Sequence, residues 1–136
     1  MTRMRNRVLI YWLPLVVWIS GIFVVSSLPG GSYPAKIGFS IIPTEYLLHI
    51  TAFFVLCLLF CRVLESKNKK PNLTSVILYC LIFTMMISFS KECVQFFIPT
   101  RSFSMKDILV DGSAAGLAMI FIFQMKMMKR SPSKVG

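Results

Sequence analysis

Four long runs of hydrophobic residues divide the chain, separated by short segments rich in polar residues, glycine and proline. The runs cover about residues 8–28, 46–64, 73–98 and 106–125. Each is close to the roughly 20 residues that a helix needs to cross about 30 Å of hydrocarbon at about 1.5 Å per residue. The pattern therefore predicts an all-α, polytopic membrane protein, with four transmembrane helices in a small bundle and one domain over residues 1–130.

The segments between the runs carry the signals that end and begin helices. The first linker, residues 29–45, is rich in glycine and proline, which interrupt a helix. At its end, Thr44 is placed to cap the second helix, and Glu45 lies in the first turn, where a negative charge is favourable. Pro99 ends the third run. Past the fourth run, residues 131–136 are predicted to form a disordered basic tail.

The first run has two interpretations. Three arginines precede it, and Val25-Ser26-Ser27 loosely fits a small-residue cleavage site, as in a secretory signal peptide. However, the run is too long for the apolar core of an ordinary signal peptide, and it contains two tryptophans and a proline. A retained first membrane helix is therefore the favoured interpretation.

Composition and charge support a membrane protein. Of the 136 residues, 56% are hydrophobic, more than a soluble domain of this size can cover with polar surface. The net charge of +10 does not indicate nucleic-acid binding, because the Lys and Arg residues lie almost entirely in the short segments between the runs. Eleven of the fifteen lie in the N-terminal segment, the second linker and the tail, if Arg62 near the end of the second run is counted with the linker that follows it. The positive-inside rule therefore predicts a cell-membrane protein with both termini in the cytoplasm.

The four cysteines lie inside hydrophobic runs and lack the spacing of a zinc finger or a CxxC motif. Cys57 and Cys61 share a helix face, which would supply half of a metal site, but no histidine or further cysteine lies at the same depth. We interpret them as small core or lipid-facing residues. The sequence predicts no metal and no cofactor.

Polar residues occupy one side of the third run near its end. This stripe contains Ser88, Lys91, Glu92 and Gln95. A charged side chain near the centre of a membrane helix costs about 2.5–3.5 kcal/mol on insertion scales. Glu92 lies roughly 9 Å below the end of the run, at about 1.5 Å per residue, so it needs polar partners.

A second polar stripe begins the fourth helix. Ser104, Asp107 and Asp111 fall at positions i, i+3 and i+7, with Ser104 placed to cap the helix and Asp107 in its first turn. Glu45 and His49 form an i,i+4 pair at the start of the second helix. In the predicted topology, all of these elements meet at the outer membrane face.

We therefore predict one polar cluster near the outer leaflet that binds a ligand. Its members are His49, Glu92, Gln95, Arg101, Ser104, Asp107 and Asp111, with Glu45 and Lys91 as possible accessory residues. Arg101 is the predicted organiser, and the alternative for this residue is a solvated position in the loop.

Other members of the cluster have structural alternatives. In the structural alternative to ligand binding, Ser104 and Asp107 act only as a helix cap, and His49 is an interfacial residue. Glu92 and Asp111 lie within hydrophobic sequence and have no local capping role. For these two acids, a functional role is favoured over a structural salt bridge.

Gly112 and Gly116 form a Gly-x-x-x-Gly spacing in the fourth helix, and Ala114 with Ala118 adds a second pair of small residues at the same spacing. Small residues at this spacing allow two membrane helices to approach closely. We expect them to pack the fourth helix against the third, which would also bring the two polar stripes together.

The motif that joins the third and fourth helices resembles the signature of the VanZ-like family of small membrane proteins. In this chain it reads Glu92-x-x-Gln95-x-Phe97-x-Pro99-x-Arg101-x-x-Ser104-x-x-Asp107-x-x-x-Asp111-Gly112-x-x-x-Gly116. Trp18, Ser26-Ser27-x-Pro29 and Glu45-x-x-x-His49 are similar to other motifs of that family, so the resemblance covers roughly residues 12–123. The founding member is associated with resistance to the glycopeptide antibiotic teicoplanin. The resemblance thus implies a cell-envelope protein linked to glycopeptide resistance.

Three positions depart from the family pattern. Asp111 replaces the usual asparagine, Tyr46 replaces the usual lysine, and Lys91 has no counterpart. An extra acid and an extra base at neighbouring depths lead to the hypothesis that Asp111 and Lys91 form a compensating pair.

Three functions remain open on the sequence, and the oligomeric state is not predicted. The favoured one is a non-enzymatic protein that binds a membrane lipid, a lipid-linked cell-wall precursor or a glycopeptide drug, since the Arg101 fork suits an anionic group. The second is a membrane enzyme acting on a lipid-linked precursor, with Glu92 or Asp111 as general base and His49 completing a metal site with the carboxylates. The third is a small transporter, because buried acids often mark ion paths.

Overall fold

The structure is a computed structural model that describes residues 2–29, 43–67 and 72–130. Its four helices are α1 (Thr2–Ser26), α2 (Thr44–Lys67), α3 (Leu73–Phe96) and α4 (Met105–Arg130). The described residues contain no strand, which confirms the all-α prediction. Most of the first linker, the middle of the second and the predicted tail at residues 131–136 lie outside the described residues.

Every helix contains a stretch that is long and apolar enough to cross a membrane. These stretches are Leu9–Ser26, Thr44–Ser66, Leu73–Phe96 and Met105–Met128. They support a multi-pass membrane protein, and the side on which the termini lie stays a prediction. Helix α1 begins before its hydrophobic run and α4 continues beyond its run, because basic residues have good helix propensity and extend a helix past the apolar pattern.

Helix α2 is at the centre of the bundle, packed against α1, α3 and α4. One buried cluster, between α2, α3 and α4, contains Cys57, Cys61, Val76, Cys80, Ala115, Ala118 and Met119. A second cluster, mainly between α1 and α2, contains Leu15, Ile22, Phe53, Leu56, Val63 and Ala114. Trp18 Nε1 also donates a hydrogen bond to the Ala52 carbonyl at 2.9 Å, which fixes α1 against α2.

The predicted caps of α4 and α2 have different outcomes. Ser104 Oγ accepts a hydrogen bond from the Asp107 N–H at 3.3 Å, so the predicted cap of α4 is confirmed. The predicted cap of α2 is wrong. Thr44 is the first helical residue, and its buried hydroxyl has no hydrogen-bond partner among the described residues. The residue before it, Pro43, takes the cap position, and its carbonyl accepts from the Leu47 N–H.

Helix α4 packs against α3, as expected, and more extensively against α2. The fully buried small residues of α4 are Ala114, Ala115 and Ala118. Gly112 does approach α3, since a Cβ there would lie 3.2 Å from Met85 Sδ, but a Cβ at Gly116 would meet nothing within 4 Å. The alanine face lies beside the glycine face on the helix, and α2 fills it with larger side chains.

The end of α1, the start of α2, the end of α3 and the start of α4 meet at one end of the bundle, which we call the site end. Gln95 Nε2 at the end of α3 donates to the Ser26 carbonyl at the end of α1, at 3.2 Å. At the opposite end, Lys126 and Glu65 form an ion pair at 2.6 Å. Successive helices therefore run in alternating directions.

Candidate functional site

Lys91 is the centre of a group of buried polar side chains at the site end. Its Nζ lies 3.0 Å from Asp111 Oδ2, 3.1 Å from Glu92 Oε1 and 3.1 Å from His49 Nδ1. The ammonium also lies 5.2 Å from the centre of the Phe53 ring, a favourable cation–π position. Only 1% of Lys91 is exposed, so these contacts replace its hydration. The predicted pair of Lys91 and Asp111 is confirmed.

Asp111 connects three helices through its two oxygens. Oδ2 accepts a hydrogen bond from Ser88 Oγ at 2.5 Å as well as from Lys91, and Oδ1 lies 2.8 Å from His49 Nδ1. The residue is completely buried. A carboxylate in such a place is stable only when charged and polar partners occupy its lone pairs, and here α2 and α3 supply those partners.

Glu92 links the buried group to the start of α4. Its Oε2 accepts a hydrogen bond from the Ser104 N–H at 2.8 Å, which satisfies a backbone donor just before the helix. Its Oε1 lies close to Lys91 but is not aligned for a hydrogen bond, and it has no other partner within the described part of the chain. Glu92 therefore interacts with Lys91 mainly through charge.

His49 stands between the acids of α4. Its Nδ1 contacts Asp111, and its Nε2 lies 3.8 Å from Asp107 Oδ2. The Nδ1 atom also lies within hydrogen-bond distance of Lys91 Nζ, so His49 contacts both members of the Lys91–Asp111 pair. We call Ser88, Lys91, Glu92, Asp111 and His49 the polar core.

Arg101 is not the organiser that the sequence predicts. Its Nη1 lies 3.4 Å from Glu45 Oε1, and its Nε donates to the Leu28 carbonyl at 3.3 Å. Both contacts lie at the rim of the bundle, whereas Glu92 lies deeper in α3 and next to Lys91. Lys91 is next to Glu92 on α3 and is therefore closer to this buried acid than Arg101, which explains why Lys91 has the central position.

A cavity of about 60 Å³ opens beside the polar core, between α1, α2 and α3. Its polar lining residues are Ser26, Glu45, His49, Lys91, Gln95 and Arg101. The three acids Glu92, Asp107 and Asp111 are not among the residues that line it. The cavity is large enough for a few water-sized groups, at about 15 Å³ each. A molecule entering it meets basic and amide groups together with one acid, Glu45.

The seven predicted cluster residues all lie at the site end, but in two groups. His49, Glu92 and Asp111 are in the polar core, with Ser104 and Asp107 at its edge on α4. Gln95 and Arg101 are at the cavity rim together with Glu45. Ser88 is the residue that the predicted cluster omitted, although its position on the α3 stripe was a signal for it.

The contacts of Lys91 bear on the alternative of a metal site at His49. The Lys91 ammonium occupies the point between His49, Glu92 and Asp111 where a cation held by these residues would lie. Within the described ranges, no group of three or more His, Cys, Asp and Glu residues is arranged to hold a metal ion. The arrangement instead allows charge-assisted hydrogen bonding and proton exchange between His49 and the acids.

Comparisons with known proteins bear on the family. A search of curated proteins and a search of solved structures each returned no match. A family model described as VanZ/LLP1 matches residues 9–127, a range that includes the whole polar core, the cavity lining and, except for Met128, the apolar stretches of the four described helices. This match extends over most of the chain, and on that basis the protein belongs to the VanZ/LLP1 family.

Proposed function

We propose that this protein is a non-enzymatic cell-envelope protein whose site-end cavity faces the exterior and binds the anionic headgroup of an envelope lipid. The observation that carries the proposal is the division of charge around the cavity. Lys91, His49 and Arg101 line it together with one acid, Glu45, whereas the acids Glu92, Asp107 and Asp111 do not. An anionic group fits this lining better than a neutral or cationic one.

Arg101 provides the geometry for recognition. Its contacts with Glu45 and Leu28 use two of its five N–H donors, and within the described part of the chain the others remain for a phosphate or carboxylate. Glu45 is the acid at the rim, and 58% of its side chain is exposed. An exposed carboxylate can turn into solvent when a ligand anion takes its place beside Arg101, so Glu45 would compete with the ligand.

Family membership adds the physiological setting. The resemblance to the founding VanZ protein associates this family with teicoplanin resistance, and a lipid-linked cell-wall precursor has the same combination of anionic headgroup and hydrocarbon chain as a phospholipid. We infer that binding of such an envelope molecule, or of the drug itself, underlies any resistance that this protein confers. The distribution of Lys and Arg along the sequence supports a location of the cavity on the outer side.

The proposal is tested with the purified full-length protein in a non-ionic detergent. Binding of short-chain phosphatidylglycerol, which is anionic, is compared with binding of phosphatidylcholine of the same chain length, with a lipid-linked precursor and teicoplanin as further arms. We expect tighter binding of phosphatidylglycerol than of phosphatidylcholine. Arg101→Gln should weaken the anionic ligand about tenfold, since a charged hydrogen bond contributes about 1.5–3 kcal/mol.

Two further variants sharpen the test. Glu45→Gln removes the competing acid and should strengthen binding of phosphatidylglycerol. Lys106→Gln removes an exposed base near the start of α4 that does not line the cavity, and it should leave binding unchanged. Equal affinity of wild type and Arg101→Gln for every anionic ligand would rule out the proposed function.

One observation favours a membrane enzyme as a second candidate. Asp111 Oδ1 lies 2.8 Å from His49 Nδ1, and His49 lines the cavity, an arrangement in which an acid orients a histidine for proton transfer. Glu92 and Asp111, the bases expected from the sequence, do not line the cavity, so His49 would be the base. Turnover of a lipid-linked precursor by the purified protein, abolished in His49→Gln, would support this candidate, and absence of turnover in the wild type would eliminate it.

A further inference from the structure

A second depression lies directly beside the cavity, between α1 and α2. It measures about 250 Å³ and is lined almost entirely by apolar atoms. Four residues line both spaces, and they are Ile22, Val25, Leu48 and Ala52. The two spaces therefore lie side by side, with a polar space beside Lys91 and Arg101 and an apolar space deeper along α1. We call the second space the apolar groove.

The depth of the apolar groove matches the hydrocarbon region of a membrane. Gly21 and Trp18 line it, five and eight residues before the end of α1 at Ser26. At about 1.5 Å per residue they lie roughly 8 and 12 Å below the site end. The groove thus begins at the level of the headgroups and continues toward the membrane centre.

The groove is open to the surrounding lipid. Gly21, Val25, Leu48 and Thr51, which line it, are all exposed on the surface of the bundle. There is open space beside Gly21, because a Cβ at this position would meet no atom within 4 Å. Trp18 Nε1 is bonded to the Ala52 carbonyl, so the inner end of the groove is closed by a fixed tryptophan.

From the shared lining of the cavity and the apolar groove we propose that the ligand of the cavity is an anionic phospholipid. It enters sideways from the outer leaflet, and one of its hydrocarbon chains lies in the apolar groove between α1 and α2. The inference rests on the proposed function for its headgroup end. The basic lining of the cavity complements the phosphate, and the apolar groove buries a chain that would otherwise remain among the bulk lipid chains. A soluble anion would use the cavity but would leave the groove without a role.

The experiment places the protein in phosphatidylcholine vesicles and uses Trp18 as the reporter of the groove. A Trp12→Phe background leaves Trp18 as the remaining tryptophan of the chain. A small fraction of the lipid carries bromine atoms on its chains, either as phosphatidylglycerol or as phosphatidylcholine, and bromine quenches tryptophan on contact. We expect brominated phosphatidylglycerol to quench Trp18 more strongly than brominated phosphatidylcholine at the same fraction.

Variants of the groove provide the decisive comparison. Gly21→Leu fills the groove, and Thr51→Leu narrows it from the α2 side; each should reduce the quenching by phosphatidylglycerol to the level of phosphatidylcholine. Gly116→Leu is the matched control, because Gly116 also has open space around its Cβ position but lies on α4. This control should keep the full excess quenching. Helix formation is not impaired, since leucine is a better helix former than glycine.

The outcomes separate the two proposals. If anionic lipid binds in detergent and Arg101→Gln weakens it, but Trp18 shows no excess quenching or Gly21→Leu keeps it, then the headgroup site stands and the groove proposal is overturned. If the protein in detergent also binds phosphatidylglycerol no more tightly than phosphatidylcholine, the proposed function itself fails. Excess quenching that is lost in both groove variants and kept in Gly116→Leu supports a chain between α1 and α2.

Discussion

The ammonium group of Lys91 on α3 lies 3.0 Å from the carboxylate of Asp111 on α4, and both residues are shielded from solvent and lipid. If one of the two charges is removed, water cannot solvate the other, because both side chains are buried. The pair is therefore a central electrostatic contact between α4 and α3, reinforced by Ser88 and His49. This contact also supports the wall of the cavity, because Lys91 and His49 contact Asp111 and line the cavity as well.

Removal of Lys91 alone is expected to be strongly destabilising. Lys91→Met leaves Glu92 and Asp111 buried without their cation, and breaking a buried ion pair from one side typically costs about 3–5 kcal/mol. The double variant Lys91→Met/Asp111→Asn removes one of the two stranded charges and keeps an amide that can bond to Ser88. We expect the double variant to be more stable than Lys91→Met by at least about 1 kcal/mol.

Unfolding of the detergent-purified variants by heat or denaturant measures this difference. Asp111→Asn alone completes the double-mutant cycle, and it should be milder than Lys91→Met because Lys91 keeps Glu92. A double variant as unstable as the sum of the two single variants would show that the pair contributes nothing through its coupling.

Glu92 is expected to stabilise the start of α4. Glu92→Gln keeps an oxygen for the Ser104 N–H but removes the charge that faces Lys91, and we expect a loss of about 1–3 kcal/mol in the free energy of unfolding. Glu45→Gln is the matched control, because Glu45 also pairs with a base but is largely exposed, so its loss should stay within about 1 kcal/mol.

Hydrogen exchange of the amides at the start of α4 gives a local readout of the same prediction. Exchange should accelerate at Ser104 and Asp107 in Glu92→Gln and remain as in the wild type in Glu45→Gln. Unchanged protection in both variants would contradict a role of Glu92 in fixing the start of this helix.

The contact between α2 and α4 predicts opposite effects for two neighbouring substitutions. Ala115 is fully buried, and its carbonyl lies 3.9 Å from Cys57 Sγ, so Ala115→Leu should destabilise the bundle by about 1–3 kcal/mol through overpacking. Gly116→Leu extends into open space and should be tolerated. Thermal unfolding of the two variants distinguishes these outcomes. A larger loss of stability in Gly116→Leu than in Ala115→Leu would show that the glycine face is the main packing face of α4.

The membrane helices and the polar stripes can be predicted from the sequence because the cost of burying charge restricts where polar residues occur in a hydrophobic run. The stripes Ser88–Gln95 and Ser104–Asp111 are examples, and the pairing of Lys91 with Asp111 follows from their similar depth. What the pattern lacks is side-chain reach. A stripe shows which side of the helix its residues share, but it does not show whether Lys91 or Arg101 pairs with Glu92.

Helix packing shows the same limit. The Gly-x-x-x-Gly spacing of Gly112 and Gly116 indicates a close approach, yet the alanine face beside it makes the larger contact, because α2 offers buried side chains such as Phe53 and Leu56 to fill it. Sequence spacing identifies candidate faces of a helix. The shape of the partner helix decides which of them is used.

Resistance in living cells should depend on the cavity rim. In a strain whose teicoplanin susceptibility falls on expression of this protein, Arg101→Gln should return susceptibility to that of the strain without the protein, at equal protein level in the membrane. Lys106→Gln should keep the protection. The minimal inhibitory concentration measures both effects, and full protection by Arg101→Gln would separate resistance from anion binding at the cavity.

The central claim is that the basic lining of the cavity holds an anionic envelope lipid, and native mass spectrometry of the protein purified from bacterial membranes tests it most directly. We predict that the wild type and Lys106→Gln retain a bound anionic lipid, and that Arg101→Gln releases it. The same lipids bound in the same amounts to all three proteins would contradict the claim.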